Sequence, residues 1–410
     1  MKKQILNLII IIFASLLIVA STIGILFVSI HPAFPVLGII LGFSALFAKS
    51  LLSDQRRTRC IGCSIIACMT LLISVPSFYF GLYFPAPFRV ADYDQRIEIW
   101  SNSIAGNHNG SKLEDMEINY NTRFITSSLA LDKALTGSYR DEEQTIDSFT
   151  YAHSIKTGIE KQTYQDIPYL IPYTVENGQG AVIIVCGGGF AKKNIATSTS
   201  EGKDVAITLN KHGINAFVLY YRSNPYQMPI PQLDLQRAIR YLKASASTLG
   251  INSSQIGLIG FSAGGYQIGS FINQIQNNNL FPSSYTPDDV DNIDASVSFA
   301  AMIYPFLTYK YNMPMLFSSF DSSLIKNDRS RASILAKTHL PSHFSSTDVD
   351  QFICYGTADN IVNYHGTEEY IETAINHGAN IVVSKNNYNH GFSQKYYMPQ
   401  LLDFIDDCWQ

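Results

Sequence analysis

Three long apolar runs with very few charged residues occupy the start of the chain, at residues 5–30, 34–52 and 61–84. The first and third contain no charged residue, and the second has only Lys49, close enough to its end for the amine to reach the membrane surface. Each run is long enough to cross a bilayer as a helix, and the first is too long for a cleaved signal peptide. The pattern predicts a membrane anchor of three transmembrane helices within residues 1–87.

Basic residues around these runs predict the orientation of the anchor. Lys2 and Lys3 precede the first run, and three arginines separate the second run from the third: Arg56, Arg57 and Arg59. The loop near His31 and Pro32 carries no Lys or Arg. A cytoplasmic N-terminus and three crossings then place the C-terminal domain outside the cytoplasm. If only two runs cross, with the segment around Pro32 and Pro35 as a re-entrant hairpin, that domain lies inside.

Beyond residue 166 the pattern changes to short apolar runs that alternate with helix-like segments. Predicted strands cover residues 169–175, 181–185, 216–221, 255–259, 295–303, 352–355 and 381–384. Predicted helices cover residues 202–211, 231–248, 263–276, 367–376 and 394–407. This alternation predicts an α/β domain over residues 167–410, with a mostly parallel sheet flanked by helices and a site at the carboxyl ends of its strands.

Two segments outside this alternation are candidate covers for such a site. Residues 88–166 are polar and rich in Asn, Ser and Thr, and they are predicted to form a linker and cap with one helix over residues 124–135. Residues 306–347 form a second candidate lid, which carries a group of aromatic and Met side chains: Tyr309, Tyr311, Met313, Met315, Phe317 and Phe320. Such a group usually packs in a core, but beside an active site it can line an acyl or sugar pocket.

Composition narrows the classes of partner. The net charge is −4 and no basic stripe is present, which argues against a nucleic-acid-binding protein. The six cysteines do not suggest a disulfide scaffold, because three belong to the third apolar run or its edge. Cys60 and Cys63 have the spacing of a redox or metal pair, but no second pair or histidine accompanies them. No metal or organic cofactor is predicted.

The most informative motif is Gly260-Phe261-Ser262-Ala263-Gly264, which follows one predicted strand and precedes a predicted helix. The pattern predicts a strand, a tight turn with Ser at its apex and a helix, in which the flanking glycines allow a strained backbone to expose the hydroxyl. The helix N-terminus behind the serine favours developing negative charge. Ser262 is therefore the candidate nucleophile.

A run of glycines follows an earlier predicted strand, in Cys186-Gly187-Gly188-Gly189-Phe190. Glycines at a strand end let backbone N–H groups turn toward a bound oxyanion without hindrance from a Cβ atom. We expect the oxyanion hole to consist of the N–H groups of Gly188, Gly189 and Ala263. The alternatives are a flexible turn or a phosphate-binding loop, although no Gly-Lys-Ser/Thr motif follows.

Two further candidates follow predicted strands downstream of the serine. Asp359 lies in the loop after residues 352–355, and His390 lies after residues 381–384. An Asp beside Asn is usually a solvated turn residue, and a His before Gly is usually a loop residue. The chain order Ser, Asp, His, with each residue at the end of a strand, is nevertheless the order of the α/β-hydrolase triad.

Residues from about 169 to 408 resemble an α/β-hydrolase, within the hormone-sensitive-lipase-like and bacterial acetyl esterase (acetylxylan esterase-like) branch. The resemblance is carried by the glycine run at 185–190, by residues 201–222 and 233–242, and by the serine motif. It implies that Ser262, Asp359 and His390 are the catalytic residues. Many lipase-like members have His before the three glycines, where this chain has Cys186, and this difference favours the acetyl-esterase-like members.

Together these features predict a membrane-anchored serine esterase that acts on short acyl groups, such as acetyl on a carbohydrate or a small ester. The expected partners are a small-molecule or glycan ester substrate and the lipid bilayer, with the catalytic domain on the extracytoplasmic side. The same triad also occurs in lipases, acyltransferases and serine peptidases. A non-catalytic membrane scaffold on a degenerate hydrolase fold is a further alternative.

Overall fold

The structure is a computed structural model that describes residues 14–18, 21, 33–51, 95–101, 103–106, 167–190, 200–222, 226–276, 278–312, 315–320, 324 and 328–410. The chain divides into two compact units. The first consists of residues 1–86, 119–129 and 157–159, and the second consists of the remainder.

In the first unit, helix α1 (Ala33–Leu51) packs closely against helical residues 14–18. Gly38 and Gly42 lie one turn apart on α1, and a Cβ atom at Gly42 would lie 2.6 Å from Cγ1 of Ile18. The small residues therefore allow the two helical segments to approach, as in other apolar helix pairs. Within the described residues, no helix has both the length and the apolar character needed to cross a bilayer. The predicted span 61–84 and most of the span 5–30 lie outside these residues.

The second unit is built on one eight-stranded sheet. Its strands in chain order are β1 (Ile97–Glu98), β2 (Tyr169–Tyr173), β3 (Gln179–Val185), β4 (Ile214–Tyr220), β5 (Ile256–Phe261), β6 (Phe299–Ile303), β7 (Asp350–Gly356) and β8 (Ile381–Asn386). They are arranged in the order β1-β2-β4-β3-β5-β6-β7-β8, and the six strands from β3 to β8 are parallel. Strand β2 is antiparallel to both β1 and β4.

The helices of this unit are α2 (Lys203–Lys211), α3 (Ile230–Ala244), α4 (Ala246–Leu249), α5 (Ala263–Ser270), α6 (Leu316–Ser319), α7 (Asp328–Thr338), α8 (His365–Asn376) and α9 (Met398–Trp409). Helices α2 and α9 cover one face of the sheet, where their apolar side chains join those of β3 to β7 in one buried cluster. Helix α5 covers the other face, so that a Cβ atom at Gly269 would lie 3.5 Å from Sδ of Met302 in β6. The predicted α/β fold, a mostly parallel sheet flanked by helices, is confirmed.

Several elements differ from the sequence-based expectation. The predicted strand 295–303 begins only at Phe299, and the predicted helix 231–248 divides into α3 and α4 at Ser245. Strand β1 lies within residues 88–166, which were predicted to be linker and cap, and it extends the sheet beside β2. Side chains of α3 hold this segment, because Arg237 Nε donates to the Ile99 carbonyl at 2.7 Å and Trp100 Nε1 donates to Asp234 at 3.1 Å. The predicted helix 263–276 is an α-helix only to Ser270 and continues as a π-helix over Phe271–Ile275. The predicted helix 124–135 lies outside the described residues.

Part of the predicted lid 306–347 belongs to the core. Tyr309 and Met315 are buried, and Tyr309 packs edge-on against Tyr266 of α5 at 4.8 Å between ring centroids. Phe306 stacks on the same Tyr266 ring at 5.0 Å. These aromatic side chains therefore pack against α5, behind the turn at residue 262. Of the two alternatives for this group, core packing rather than a pocket lining describes them.

Candidate active site

Ser262 lies between the end of β5 and the first residue of α5, with a positive φ of 51°. A non-glycine residue in this backbone region is strained, at a cost on the order of 1–3 kcal/mol, and must be held by its surroundings. Its N–H donates to the Ile303 carbonyl at 3.0 Å, and its own carbonyl accepts from Gly265 and Tyr266 at 3.0 and 3.2 Å. The elbow is therefore fixed to the end of β6 on one side and to α5 on the other.

No side chain fits at either of the two glycines of the serine motif. A Cβ atom at Gly260 would lie 2.5 Å from the Gly264 carbonyl oxygen, and one at Gly264 would collide with the Val185 carbonyl oxygen at the end of β3. The turn consequently brings residue 262 close to the loop that follows β3. This close approach is the physical reason for the spacing of the motif.

The three predicted triad residues lie together. Ser262 Oγ is 3.1 Å from His390 Nε2, and His390 Nδ1 is 2.6 Å from Asp359 Oδ2. The second oxygen of Asp359 accepts from the N–H groups of Ile361 and Val362 at 2.9 and 2.8 Å. The side chains of Asp359 and His390 are 4% and 12% exposed, so the pair is largely shielded from water.

Asn389 joins the two loops that carry His390 and Asp359. Its Oδ1 accepts from the N–H of Asn360 and from the N–H of His390, both at 3.1 Å. Thr357 N–H donates to the Asn386 carbonyl at 2.9 Å, which ties the same two loops at their bases. The separation between Asp359 and His390 is thus set by the ends of β7 and β8 and by these bonds.

The charges around His390 raise its pKa. Burial lowers the pKa of His390, but the charge and hydrogen bond of Asp359 and the charge of Glu201 raise it above its ordinary value. In the Cys186 thiol, burial and the charge of Glu201 raise the pKa well above the usual range. Cys186 is therefore a neutral, buried thiol that belongs to the core cluster.

The glycine loop lies directly beside the serine. Gly188 and Gly189 have φ values of 99° and 60°, which favour glycine, and a Cβ atom at Gly187 would lie 2.9 Å from the Ser262 Cβ. Tyr221 Oη donates to the carbonyls of Cys186 and Gly187, at 2.9 and 3.2 Å. These two bonds fix the carbonyls at the start of the glycine loop.

One residue at the site was given no chemical role by the sequence analysis. Glu201 accepts from the Gly187 N–H at 2.8 Å and from Tyr304 Oη at 3.0 Å. It precedes α2, and residues 191–199 between it and the glycine loop lie outside the described part of the chain. A single Glu in a polar stretch carries no motif, so its place beside the loop depends on the fold alone. Among the described residues, no group of His, Cys, Asp or Glu side chains is placed to hold a metal ion.

The sequence of this domain matches a known protein family. The family model described as BD-FAE matches residues 168–373, about half of the 410 residues. The chain belongs to the BD-FAE family. The matched BD-FAE region contains the serine elbow, the glycine loop and Asp359, while His390 lies beyond its end.

Curated relatives of this BD-FAE chain match it over shorter stretches. An acetylxylan esterase of Xylanibacter ruminicola is 36% identical over 98 residues, which are 24% of this chain and 20% of that protein. Endo-1,4-beta-xylanase B of Butyrivibrio fibrisolvens is 30% identical over 114 residues, which are 26% of this chain and 17% of that protein. The chain thus matches about a fifth of the length of these relatives.

Solved structures also resemble this chain. An acetyl ester-xyloside bifunctional hydrolase from Caldicellulosiruptor lactoaceticus is 23% identical, with a TM-score of 0.48 over 59% of this chain and 86% of that chain. A truncated carbohydrate esterase from gut microbiota is 20% identical, with a TM-score of 0.49 over 58% of this chain and 90% of that chain.

Proposed function

We propose that this protein is a serine carboxylic-ester hydrolase that removes short acyl groups, chiefly acetyl, from acylated carbohydrates or small esters. One observation carries the proposal. Ser262 Oγ lies 3.1 Å from His390 Nε2, and the opposite ring nitrogen lies 2.6 Å from the shielded carboxylate of Asp359. A nucleophile, a base and a group that orients the base are thus within hydrogen-bond reach of one another.

In the proposed reaction, His390 takes the hydroxyl proton as Ser262 Oγ bonds to the ester carbonyl carbon. The tetrahedral oxyanion accepts hydrogen bonds from the N–H groups of Gly188, Gly189 and Ala263. Collapse breaks the bond to the alcohol oxygen, which leaves with the proton from His390, and an acyl-enzyme remains. A water molecule then gives a proton to His390 and attacks the acyl carbon. The bond from that carbon to Ser262 Oγ breaks, His390 returns the proton to Oγ, and the acid is released.

The relatives support the choice of acyl group and alcohol. The family is BD-FAE, and the curated relative with 36% identity is an acetylxylan esterase. A second relative is an endo-1,4-beta-xylanase. We therefore propose an acetylated carbohydrate as the substrate class.

We further propose that the protein is a multi-pass membrane protein with its catalytic domain on the extracytoplasmic side. The support is the apolar sequence of residues 5–30, 34–52 and 61–84 and the distribution of Lys and Arg around these runs. A protease that cannot cross the membrane, applied to intact spheroplasts, tests the orientation. Loss of a C-terminal tag without lysis is expected, and protection of the tag until lysis would contradict it.

The enzymatic proposal is tested with the full chain in detergent micelles. Hydrolysis of p-nitrophenyl esters from acetate to palmitate is measured beside acetate release from acetylated xylo-oligosaccharides. We expect activity confined to acetate and butyrate, and loss of that activity in Ser262→Ala and His390→Gln with unchanged thermal unfolding. Rates that peak with long acyl chains would favour a lipase. Absence of hydrolysis by folded protein would favour an acyltransferase, a peptidase or a scaffold.

A further inference from the structure

Glu201 is a carboxylate beside the catalytic centre that the proposed reaction does not use. Its Oε2 accepts from the Gly187 N–H at 2.8 Å, and its Oε1 accepts from Tyr304 Oη at 3.0 Å. Burial raises the pKa of the Glu201 carboxyl, whereas the bond from Gly187, the charge of His390 and the bond from Tyr304 lower it, so both hydrogen bonds stabilise the ionised form. The two oxygens therefore join the glycine loop to the residue that follows β6.

The first contact holds the N–H of Gly187. Tyr221 Oη donates to the carbonyls of Cys186 and Gly187, at 2.9 and 3.2 Å. The peptide groups on both sides of the Gly187 Cα thus have fixed partners, and the N–H of Gly187 is committed to Glu201. The N–H groups of Gly188 and Gly189, which are the donors in the proposed reaction, follow directly after this fixed segment.

The second contact leads to the catalytic imidazole. The Tyr304 ring packs edge-on against His390, with 4.9 Å between ring centroids and 63° between planes. Tyr304 itself is held at a positive φ of 36° by the bond from its N–H to the Cys354 carbonyl at 2.7 Å. A hydroxyl that donates to Glu201 keeps this ring in one orientation against the imidazole.

We propose that Glu201 is a positioning residue, whose carboxylate fixes the oxyanion loop through Gly187 and places a second negative charge near His390. The inference rests on the proposed function, because it assigns a role in that same reaction. A preorganised loop binds the transition state more tightly than the ground state, so its loss lowers kcat more than it alters KM. A charge near His390 stabilises the imidazolium that forms when Ser262 gives up its proton.

The groups around these two side chains allow the charge effect to be isolated. His390 is faced by Ser262, Asp359, Tyr304 and Glu201. Glu201 is also near Cys186 and Tyr397, whose pKa values are raised well above the usual range by burial and by the Glu201 charge, so neither is charged near neutral pH. Among the described residues, Asp359 and Glu201 are therefore the carboxylates that act on His390.

The test uses the full chain in detergent micelles, with p-nitrophenyl acetate as substrate. Glu201→Gln keeps the shape and one acceptor oxygen for the Gly187 N–H, and Tyr304 can rotate its hydroxyl to accept from the new amide. This variant removes the charge and little else. Since the carboxylate raises the pKa of His390, we expect the acidic midpoint of the kcat/KM profile to move to lower pH. A purely structural residue would not move this midpoint.

Glu201→Ala removes both the charge and the two hydrogen bonds. We expect kcat to fall about 10- to 100-fold with KM nearly unchanged, below the loss from a missing oxyanion donor and above that of the Gln variant. Asp204→Asn is the matched control, since it removes an exposed carboxylate three residues away on α2. It should leave both kcat and the midpoint at wild-type values.

The outcomes separate this inference from the proposed function. If Glu201→Gln and Glu201→Ala both have the kcat and the pH midpoint of wild type, the role of Glu201 is overturned. The proposed function still stands in that case, provided that Ser262→Ala abolishes turnover. Loss of activity in both Glu201 variants with an unchanged midpoint for Glu201→Gln would also overturn the role of Glu201. If Ser262→Ala hydrolyses the ester as fast as wild type, the proposed function itself fails. Thermal unfolding of each variant confirms that folded protein is compared.

Discussion

Replacement of Asp359 by Asn perturbs the site with the smallest change of shape. The Asn Oδ1 can still accept from the Ile361 and Val362 N–H groups, which Asp359 now binds at 2.9 and 2.8 Å. Its amide nitrogen would then face His390 Nδ1, where the carboxylate now lies at 2.6 Å. An amide donor at this place forces the ring proton onto Nε2, toward Ser262, so that the base can no longer accept the hydroxyl proton.

The expected loss is large because the imidazole is held in the wrong tautomer in a shielded site. In serine proteases the same exchange lowers kcat on the order of 10⁴-fold, which corresponds to about 5.4 kcal/mol of transition-state stabilisation. The Asp359 side chain is 4% exposed, so solvent screening does not reduce this effect much. We expect a loss of this order in kcat with KM altered only slightly.

The assay is initial-rate hydrolysis of p-nitrophenyl acetate from acidic to alkaline pH, with exposed Asp403→Asn on α9 as the control. Burial lowers the pKa of His390. The charge and hydrogen bond of Asp359 and the charge of Glu201 raise it, and together they outweigh burial. The acidic midpoint of any residual kcat/KM should therefore move to lower pH in Asp359→Asn. A kcat within tenfold of wild type would refute the assignment of Asp359 as the orienting residue.

Two predictions concern the stability of the domain, measured by urea unfolding with the fluorescence of its two tryptophans. Gly264→Ala should prevent folding or destabilise the protein by about 3 kcal/mol, because its Cβ collides with the Val185 carbonyl oxygen. Gly378→Ala has open space around it and a φ of 78°, so it should cost only about 1–2 kcal/mol. Similar stabilities of the two variants would contradict the elbow packing. The hydrogen bond and charge of Arg237 lower the pKa of Asp288 from 3.8 to about 2, so this contribution to stability is present above pH 4 and lost as the pH falls toward 2. Asp288→Asn should therefore destabilise the protein by about 1–2 kcal/mol at pH 7, and the difference from wild type should shrink on acidification; a difference independent of pH would contradict this.

The central sheet and the positions of Ser262, Asp359 and His390 at its strand ends were predictable from the sequence because their signals are local. Strand β3 is a β-branched run, and three consecutive glycines follow soon after its end. The serine elbow is encoded in five consecutive residues, and Asp359 and His390 each follow a strand. Since parallel strands end at one edge of a sheet, the chain order alone brings these three side chains together.

Other features depend on contacts that no local pattern records. Strand β1 has two residues, Ile97 and Glu98, which are too few to show an alternation of apolar and polar positions. Glu201 reaches Gly187 across 14 residues of chain, and its partner Tyr304 lies more than a hundred residues away. Such pairs are set by the packing of the sheet ends, so they appear only once the fold is known.

The most direct test of the account is the chemical identity of the acyl-enzyme. The full chain is mixed with p-nitrophenyl acetate, quenched in acid within the first turnover and digested, and the peptides are analysed by mass spectrometry. The account predicts the added mass of one acetyl group on the peptide that contains Ser262, and its absence from the Ser262→Ala variant. Acetylation confined to another residue, or steady turnover by Ser262→Ala at the wild-type rate, would contradict the central claim that this serine is the nucleophile.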